Sequence, residues 1–331
     1  MRADRAEMIP EIRASVPGAP LDPRQSTTRS PQPSMMIRPP TARAAFSQLR
    51  SITTSARQLQ QTNTISQAEI AHFSSLSAHW WDPTGEFALL HRMNPARIQF
   101  VRDSILRQEE LHPSRPGRWL EGREVLDVGC GGGIFAEALA RLGANTTAID
   151  AAAVNISVAQ THAALDPSFS MPSSPISTLA SNSLIENTLN YRHCAAENLV
   201  EEGRQYDVVC AMEVLEHVED PNGFLNCLGN LTKPGGLLLV STISRTPLAH
   251  LLTLTLAENV LRLVTPGTHT YSKFVKPDEL QEHFDAKGWY GMERRGCVYD
   301  PIKAGWRLLG MGDFGGMGEQ VDYFAGVRKP L

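Results

Sequence analysis

A short glycine-rich run constrains the fold more than any other feature of the chain. Residues 124–133 read Glu-Val-Leu-Asp-Val-Gly-Cys-Gly-Gly-Gly, an apolar strand followed by a tight turn, and the apolar periodicity of a helix begins at Ile134. A second apolar stretch, 144–149, ends at Asp150. These are the parts of a nucleoside-binding βαβ unit, in which a terminal acid accepts hydrogen bonds from ribose hydroxyls. The glycines let a ligand approach the backbone closely.

The spacing of the glycines favours S-adenosylmethionine over a dinucleotide. Gly129, Gly131 and Gly133 follow a G-x-G-x-G pattern, whereas the dinucleotide pattern places its third glycine one residue later. Asp127 precedes the turn, and its carboxylate suits a cationic sulfonium or ammonium better than a pyrophosphate. An ordinary tight turn explains the glycines but not Asp127 and Asp150 together. The run resembles the first motif of class I S-adenosylmethionine-dependent methyltransferases.

Alternating strand and helix signals in residues 121–331 predict a methyltransferase domain of the α/β class, with a parallel sheet and helices on both faces. The patterns predict strands at 124–128, 145–149, 191–194, 206–211 and 237–241, and helices at 133–142, 153–163 and 221–231. Resemblance to class I methyltransferases implies a Rossmann-like sheet of seven strands, closed by an antiparallel hairpin. Residues 164–189, rich in proline and serine, predict a disordered surface insertion.

The segment before this domain reads as an N-terminal helical cap, residues 65–120. Ser66 followed by Glu69 is a capping pattern that predicts the start of a helix in segment 66–82, with a turn between aromatic residues at 80–87. Asn94 as a cap and Pro95 as a first helical residue predict that a second helix starts there.

Residues 1–64 differ from the rest of the chain in composition. From Met35 to Thr64 there is no Asp or Glu, while arginine recurs. Arginine-rich, serine-rich and acid-poor N-termini are typical of mitochondrial import signals, whereas a disordered tail without an address is the alternative. We predict a disordered mitochondrial targeting presequence.

The overall composition excludes several classes of protein. The formal net charge of −4 argues against a dedicated nucleic-acid binder, which would show a basic stripe, so no nucleic-acid partner is expected. The five cysteines form no C-x-x-C pair and read as reduced thiols, neither a disulfide framework nor a zinc site. No apolar run is long and uncharged enough to span a bilayer.

A second group of reactive side chains follows the strand at 206–211. If this segment is helical, Glu213, Glu216 and His217 share one face. Two carboxylates and an imidazole suit Mg²⁺, Mn²⁺ or Zn²⁺, and such an ion would lower the pKa of a catechol oxygen. Spacing alone favours instead two structural acids beside a packed or base-like histidine, because short acidic helices are common. Without a metal, His217 is the candidate general base.

Residues 66–331 resemble the ubiquinone-biosynthesis O-methyltransferase family in its mitochondrial form. The resemblance is carried by the glycine run and by A-H-W-W-D-P at 78–83, G-E-F at 85–87, L-H-R-M-N-P at 90–95, E-V-L-E-H-V at 213–218 and T-H-T-Y-S-K-F at 268–274. It implies S-adenosylmethionine-dependent O-methylation of a polyprenyl-dihydroxybenzoate and of a later demethyl-quinol intermediate. A methyltransferase with another small acceptor and a non-catalytic scaffold of a biosynthetic complex are the alternatives.

The resemblance also assigns roles to single residues. Arg97 would reach the methionine carboxylate, Gly129 would lie beneath the methionyl chain, and Asp150 would hold the ribose. Met212 would lie near the methyl end of the donor. A divalent metal, Mg²⁺ first with Zn²⁺ and Mn²⁺ as alternatives, is implied at Glu213, Glu216 and His217.

Residues 245–270 are interpreted as a membrane-facing or substrate-facing insertion. Leucine and valine side chains share one arc of a helix over 245–264, with Thr255, Glu258, Asn259 and Arg262 on the opposite side. The segment is too short to span a membrane, but it suits either the bilayer interface or a packed lid. A polyprenylated phenol must be collected from lipid, so we expect a peripheral protein on the matrix side of the mitochondrial inner membrane. A multi-subunit ubiquinone-biosynthesis complex is the expected assembly.

Overall fold

The computed structural model describes residues 64, 66–107, 117–170, 187–310 and 318–331. The predicted presequence, apart from Thr64, lies outside the described residues and stays a prediction. The same holds for residues 171–186, the central part of the predicted insertion. Among the described residues, no helix combines the length and the apolar character that crossing a membrane requires.

One mixed sheet organises the described part of the chain. Its strands are β1 (Glu124–Val128), β2 (Asn145–Asp150), β3 (Phe169–Ser170), β4 (Asn187–His193), β5 (Tyr206–Met212), β6 (Thr232–Ile243), β7 (Tyr290–Asp300), β8 (Gly305–Leu308) and β9 (Asp322–Arg328). The spatial order is β3-β4-β2-β1-β5-β6-β9-β7-β8. Strands β1 to β6 pair in parallel, whereas β9 runs antiparallel to both β6 and β7. The predicted α/β class is confirmed, and the short β3 and β8 extend the expected seven strands at the two edges.

Helices connect the strands and cover both faces of the sheet. They are α1 (Gln67–Ser75), α2 (Ala88–Leu106), α3 (Ile134–Arg141), α4 (Ala153–Ala163), α5 (Ala196–Glu201), α6 (Pro221–Leu231), α7 (Pro247–Ala249) and α8 (Pro277–Asp285). The start of α6 shows how local sequence sets a boundary. Asp220 caps its first turn by accepting from the Gly223 backbone, and Pro221 follows at the first helical position.

Two apolar cores stabilise the sheet, one on each face. Leu126 and Val209 point to the face covered by α5, α6 and α8, where Leu228 and Phe284 pack against them. The alternate residues of the same strands, including Val125 and Val208, point to the face covered by α2 and α3. This alternation follows from the two-residue period of a strand, and both faces are apolar because both are covered.

The strand order creates the opening in which a ligand can bind. The chain runs from β1 outward to β2 and β4, and then returns across β1 to form β5 on its other side. Connections therefore diverge from β1 and β5 in opposite directions, which leaves a crevice beyond their carboxyl ends. The glycine turn follows β1 and Glu213 follows β5, so the fold brings both sequence motifs to that crevice.

The structure corrects three local predictions. Pro95 lies inside α2 instead of starting a helix, and the Asn94 side chain donates to the Ile134 carbonyl rather than capping. Helix α1 begins at Gln67, directly after Ser66 as predicted, but the Ser66 side chain makes no capping hydrogen bond. Strand β4 begins at Asn187, four residues before the predicted start, because it pairs in parallel with β2 from Thr188 onward and with β3 at Asn187 and Thr188.

The predicted helix over 245–264 also differs. After α7 the chain forms a π-helical segment, His250–Val260, so the side chains follow another period than that of an α-helix. Glu258 was expected on the polar outer side, but it is buried, where its carboxylate accepts from the Gly267 backbone and lies 3.3 Å from Nδ1 of His269. Leucine side chains of the segment remain exposed instead.

Candidate active site

One cavity lies beyond the carboxyl ends of β1 and β5. Every site residue predicted from the sequence lines it: Arg97, Gly129, Asp150, Met212, Glu213, Glu216 and His217. Apolar side chains from α1 and α2 and from the segment between them, including Phe73, Leu76 and Leu90, form another part of its wall. The cavity therefore combines a polar floor from the sheet with an apolar rim from the N-terminal helical cap.

The glycine turn forms the floor because its backbone needs conformations that other residues avoid. Gly129 and Gly131 have φ angles of +74° and +53°, in the left-handed region. A Cβ atom at Gly129 would come within 2.6 Å of a Val214 methyl carbon. Positive φ and tight packing thus both require glycine at this position.

Asp150 connects the end of β2 to the glycine turn. Its Oδ2 accepts from the Gly131 backbone at 2.9 Å, and its Oδ1 accepts from the Ala152 backbone at 2.8 Å and from Asn155 Nδ2 at 3.2 Å. Burial raises the pKa of the Asp150 carboxyl, and these hydrogen bonds oppose that effect. A carboxylate oxygen can accept two hydrogen bonds, and Oδ2 accepts one from the protein. The group therefore still has capacity for a ligand hydroxyl.

Arg97 and Asp127 supply opposite charges to the same cavity. Both are buried, and neither Arg97 Nε nor Asp127 Oδ2 has a hydrogen-bond partner among the described residues. Burial raises the pKa of Asp127 to about 7 although Arg97 opposes it, and burial lowers the pKa of Arg97. A ligand with a carboxylate and an ammonium group would satisfy both side chains. The amino-acid part of S-adenosylmethionine has these two groups, so the residues fit this donor.

Glu213 occupies a strained turn rather than the helix expected from its spacing. Its φ angle is +58°, and only Leu215–His217 form a short 3₁₀ turn after it. The backbone N–H donates to Ser241 Oγ at 3.0 Å, and Oε1 accepts from the same hydroxyl at 2.5 Å. Non-glycine residues in the left-handed region cluster at functional sites, because the surrounding structure must hold them there.

Glu216 is a buried acid with spare hydrogen-bonding capacity. Its Oε2 accepts from Thr242 Oγ1 at 2.8 Å, whereas Oε1 has no partner among the described residues. Burial, together with the nearby Glu213 carboxylate, raises the pKa of Glu216 to about 7. Asp322 at the start of β9 is buried close to both acids, and its pKa is raised for the same reasons.

His217 is oriented by a carboxylate from the N-terminal helix α1. Its Nδ1 lies 3.1 Å from Glu69 Oε2, and Lys273 Nζ donates to the other Glu69 oxygen at 3.0 Å. Phe73 packs edge-on against the imidazole. Burial lowers the pKa of His217, but the Glu69 hydrogen bond and the nearby Glu216, Glu69 and Glu213 carboxylates together outweigh it, so the net shift is upward. The Glu69 contact leaves Nε2 as the ring nitrogen for a ligand in the cavity.

The residue types at the implied metal site suit a divalent cation, but their positions do not form a metal site among the residues that the structure describes. Glu213, Glu216 and His217 are donors that a divalent cation accepts, and the unpartnered oxygen of Glu216 is available. Their other atoms are engaged by Ser241, Thr242 and Glu69. Within the described part of the chain, no three His, Cys, Asp or Glu residues are grouped to hold a metal ion. The metal therefore stays a prediction.

Several residues of the cavity wall were not predicted from the sequence to belong to the site. Trp80 lies against the glycine turn, and Asn155 links it to Asp150. Glu69 and His269 face the acidic side of the cavity. Two of these, Trp80 and His269, stand in the W-W-D-P and T-H-T-Y-S-K-F motifs, and these distinctive motifs were the sequence signal that could have pointed to them. Asn155 and Glu69 show no such signal because only the fold brings them to the site.

Comparison with known proteins shows that the chain is similar to methyltransferases. A family model described as a methyltransferase domain matches residues 90–293, more than half of the chain. The mitochondrial ubiquinone biosynthesis O-methyltransferase of Schizosaccharomyces pombe is 41% identical over 276 residues, which cover 82% of this chain and 89% of that protein. The ubiquinone biosynthesis O-methyltransferase of Sinorhizobium fredii is 38% identical over 268 residues, 81% of this chain and 97% of the relative.

The backbone is similar to those of solved structures at low sequence identity. Magnesium protoporphyrin IX methyltransferase from Synechocystis, with S-adenosylhomocysteine bound, aligns with a TM-score of 0.49 and 18% identity, covering 78% of this chain and 94% of that one.

Proposed function

Because the chain belongs to the ubiquinone biosynthesis O-methyltransferase family, we propose that it methylates a phenolic oxygen of a polyprenylated catechol. Its activity class is S-adenosylmethionine-dependent O-methylation in ubiquinone biosynthesis. The proposed acceptors are a polyprenyl-dihydroxybenzoate and, later in the same biosynthesis, a demethyl-quinol. One observation carries the proposal: the donor-type residues and the acidic–imidazole group line the same cavity, beside an apolar rim.

In the first half of the proposed mechanism, the protein positions the methyl donor. Arg97 binds the methionine carboxylate and Asp127 binds the ammonium group, while Asp150 accepts from the ribose hydroxyls. Gly129 lies beneath the methionyl chain, and Met212 lies near the sulfonium end. The bound donor supplies the methyl group on a positively charged sulfur. Fixing that group for in-line attack removes much of the entropic barrier to transfer.

The acceptor half is proton removal. His217 accepts the phenolic proton at Nε2, and Glu69 at Nδ1 stabilises the imidazolium that forms. The phenolate oxygen then forms a bond to the methyl carbon as the sulfur–carbon bond breaks, which leaves a neutral thioether. The apolar side chains of α1 and α2 exclude water from the aromatic ring and direct the prenyl chain outward.

A divalent cation at Glu213, Glu216 and His217 is the second part of this proposal, with Mg²⁺ preferred over Zn²⁺ and Mn²⁺. The unpartnered Oε1 of Glu216 and the crowding of buried acids around it support a cation. A bound cation would lower the pKa of the catechol. Binding would exchange the present hydrogen bonds of the three side chains for metal ligation.

The site of action is the third part of the proposal. The Schizosaccharomyces pombe relative is named as mitochondrial, and residues 1–64 have the composition of an import signal. Exposed leucines around His250–Val260 suit a lipid surface. We therefore assign the protein to the matrix side of the inner membrane, as a peripheral member of a multi-subunit ubiquinone-biosynthesis complex.

The direct test is methyl transfer to a soluble acceptor. Purified protein is incubated with methyl-labelled S-adenosylmethionine and a short-chain prenyl-dihydroxybenzoate, and label is expected in a monomethyl ether. His217→Ala should lower kcat by at least a hundredfold, because it removes the base or a metal ligand. Donor binding without transfer to this phenol or to the demethyl-quinol would refute the acceptor.

A chelator arm of the same assay tests the cation. Activity should disappear after exhaustive chelation and return with Mg²⁺, and Glu216→Gln should remain inactive after the addition. Full activity of the chelated parent would contradict the metal while leaving methyl transfer intact.

A further inference from the structure

The Trp80 side chain lies flat against the glycine turn. A Cβ atom at Gly131 would come within 2.2 Å of Trp80 Cη2, and one at Gly132 within 2.4 Å of Trp80 Cγ. The indole therefore extends along the turn with its pyrrole edge at Gly132 and its benzene edge at Gly131. On its other side it stacks on Phe87, with ring centroids 3.7 Å apart and planes 2° from parallel. Trp80 lines the donor cavity and is 7% exposed.

The indole N–H begins a chain of hydrogen bonds that ends at the ribose-binding acid. Trp80 Nε1 donates to Asn155 Oδ1 at 3.0 Å. The amide of Asn155 then donates through Nδ2 to Asp150 Oδ1 at 3.2 Å. Asn155 is buried, and accepting from the indole fixes which end of its amide faces Asp150. Asp150 in turn accepts from the Gly131 backbone, which lies under the indole.

The neighbouring tryptophan anchors the same turn from another direction. Trp81 Nε1 donates to the Gly132 carbonyl at 2.8 Å, and its ring stacks on His162 at 3.3 Å. The Trp80 carbonyl is itself held by His91 Nε2 at 2.8 Å. The position of Trp80 is therefore set by α2 and by the sheet domain together. A residue fixed in this way can transmit its own orientation to the group that it contacts.

We propose that Trp80 and Asn155 are positioning residues for the methyl donor, which orient the Asp150 carboxylate toward the ribose hydroxyls and brace the turn beneath it. The inference rests on the proposed role of Asp150. Without the indole donor, the Asn155 amide is free to flip, and its oxygen would then face Asp150. A repulsive contact would replace a hydrogen bond, and the carboxylate would turn away from the ribose.

The test compares donor affinities in variants that keep the packing. Trp80→Phe retains an aromatic ring for Phe87 but removes the N–H, and Asn155→Ala removes the relay. Calorimetric titration with S-adenosylhomocysteine should show about tenfold weaker binding for each variant. The double variant should be no more than about twofold worse than either single one, because both changes break one chain of hydrogen bonds.

A ribose-modified ligand separates positioning from mere packing. For 2′,3′-dideoxy-S-adenosylhomocysteine, which has no ribose hydroxyls, Trp80→Phe should bind within twofold of the parent. In turnover, the KM for S-adenosylmethionine should rise about tenfold while kcat at saturating donor stays within threefold. Equal losses for both ligands, or a loss of kcat alone, would overturn the inference.

Trp306→Phe is the matched control. Trp306 Nε1 donates to the Leu89 carbonyl at 3.1 Å, and Trp306 itself does not line the donor cavity, so its loss tests the general cost of removing an indole N–H. This variant should bind S-adenosylhomocysteine like the parent. If the parent itself does not bind this ligand, the donor assignment fails. If the parent binds and Trp80→Phe binds equally well, only the positioning inference fails.

Discussion

Two buried groups of opposite charge, Arg97 and Asp127, give the donor site its character. The sequence predicted Asp127 from the glycine motif and Arg97 from the family resemblance, and the structure adds that each lines the cavity with an atom that has no partner among the described residues. The sequence did not predict which uncharged residues orient the charged side chains of the site. Asn155 lies in an ordinary helix, α4, and reaches Asp150 only because the strand order brings that helix alongside the turn.

The pKa of Asp127 predicts how donor binding depends on pH. Burial holds this pKa at about 7, and a ligand ammonium favours the ionised form. Binding of S-adenosylhomocysteine should therefore release a proton below pH 7, with affinity rising as pH increases from about 5.5 to 7 and then levelling. Titration calorimetry in buffers of different ionisation enthalpy measures this release. Asp127→Asn should bind more weakly and without this pH dependence.

The unliganded protein should show the opposite trend in stability. A carboxyl whose folded-state pKa of about 7 exceeds its ordinary value of 3.8 binds more protons in the folded state than in the unfolded state. Its contribution is fully present below pH 3.8 and is lost as pH rises through 7. Relative to Asp127→Asn, the parent should lose unfolding free energy over that range in urea titrations. Parallel curves for the two proteins would contradict the raised pKa.

At the scale of elements, local pattern identified the sheet and its covering helices well. Strand β1, the turn and α3 lie within one residue of their predicted bounds, because strand period and glycine spacing are local properties. The failures share one cause, which is tertiary contact. Pro95 sits inside α2, Glu213 forms a left-handed turn against Ser241, and Glu258 is buried by its contact with Gly267. No local pattern reports those partners.

The π-helical segment gives an element-scale prediction about lipid. Leu256 and Val260 are 41% and 63% exposed, so charges there should disturb the proposed lipid contact without disturbing the core. Aspartate at either position should weaken binding to phosphatidylcholine–cardiolipin vesicles about tenfold, because each change removes roughly 1.5 kcal/mol of apolar burial. Flotation of the vesicles measures the bound fraction.

Ile302→Asp is the control for this experiment. Ile302 is 94% exposed but stands in the turn between β7 and β8, away from the segment. The bound fraction of this variant in the flotation assay should equal that of the parent. Unchanged flotation of the Leu256 and Val260 variants would assign the segment to packing or to the substrate opening instead.

At the scale of the whole molecule, the cavity joins parts of the chain that are distant in sequence. Arg97 belongs to α2, Asp127 to β1, Glu216 to the turn after β5, and His269 to the loop before α8. The class I resemblance implied the sheet, and the switch between β1 and β5 explains why the motifs converge. The apolar rim was not predictable, because it depends on how α1 and α2 pack over the sheet.

Since the cavity is built from both the N-terminal helices and the sheet, donor binding should stabilise them as one unit. S-adenosylhomocysteine at a hundred times its Kd should raise the free energy of unfolding by about 2.7 kcal/mol, if it binds only the folded protein. Calorimetric melting should show one transition that moves upward by a few degrees. Asp150→Ala should show a smaller shift at the same ligand concentration, because it weakens binding. Two transitions, of which the ligand moves only one, would mean that α1 and α2 unfold independently and that the donor site does not include Arg97.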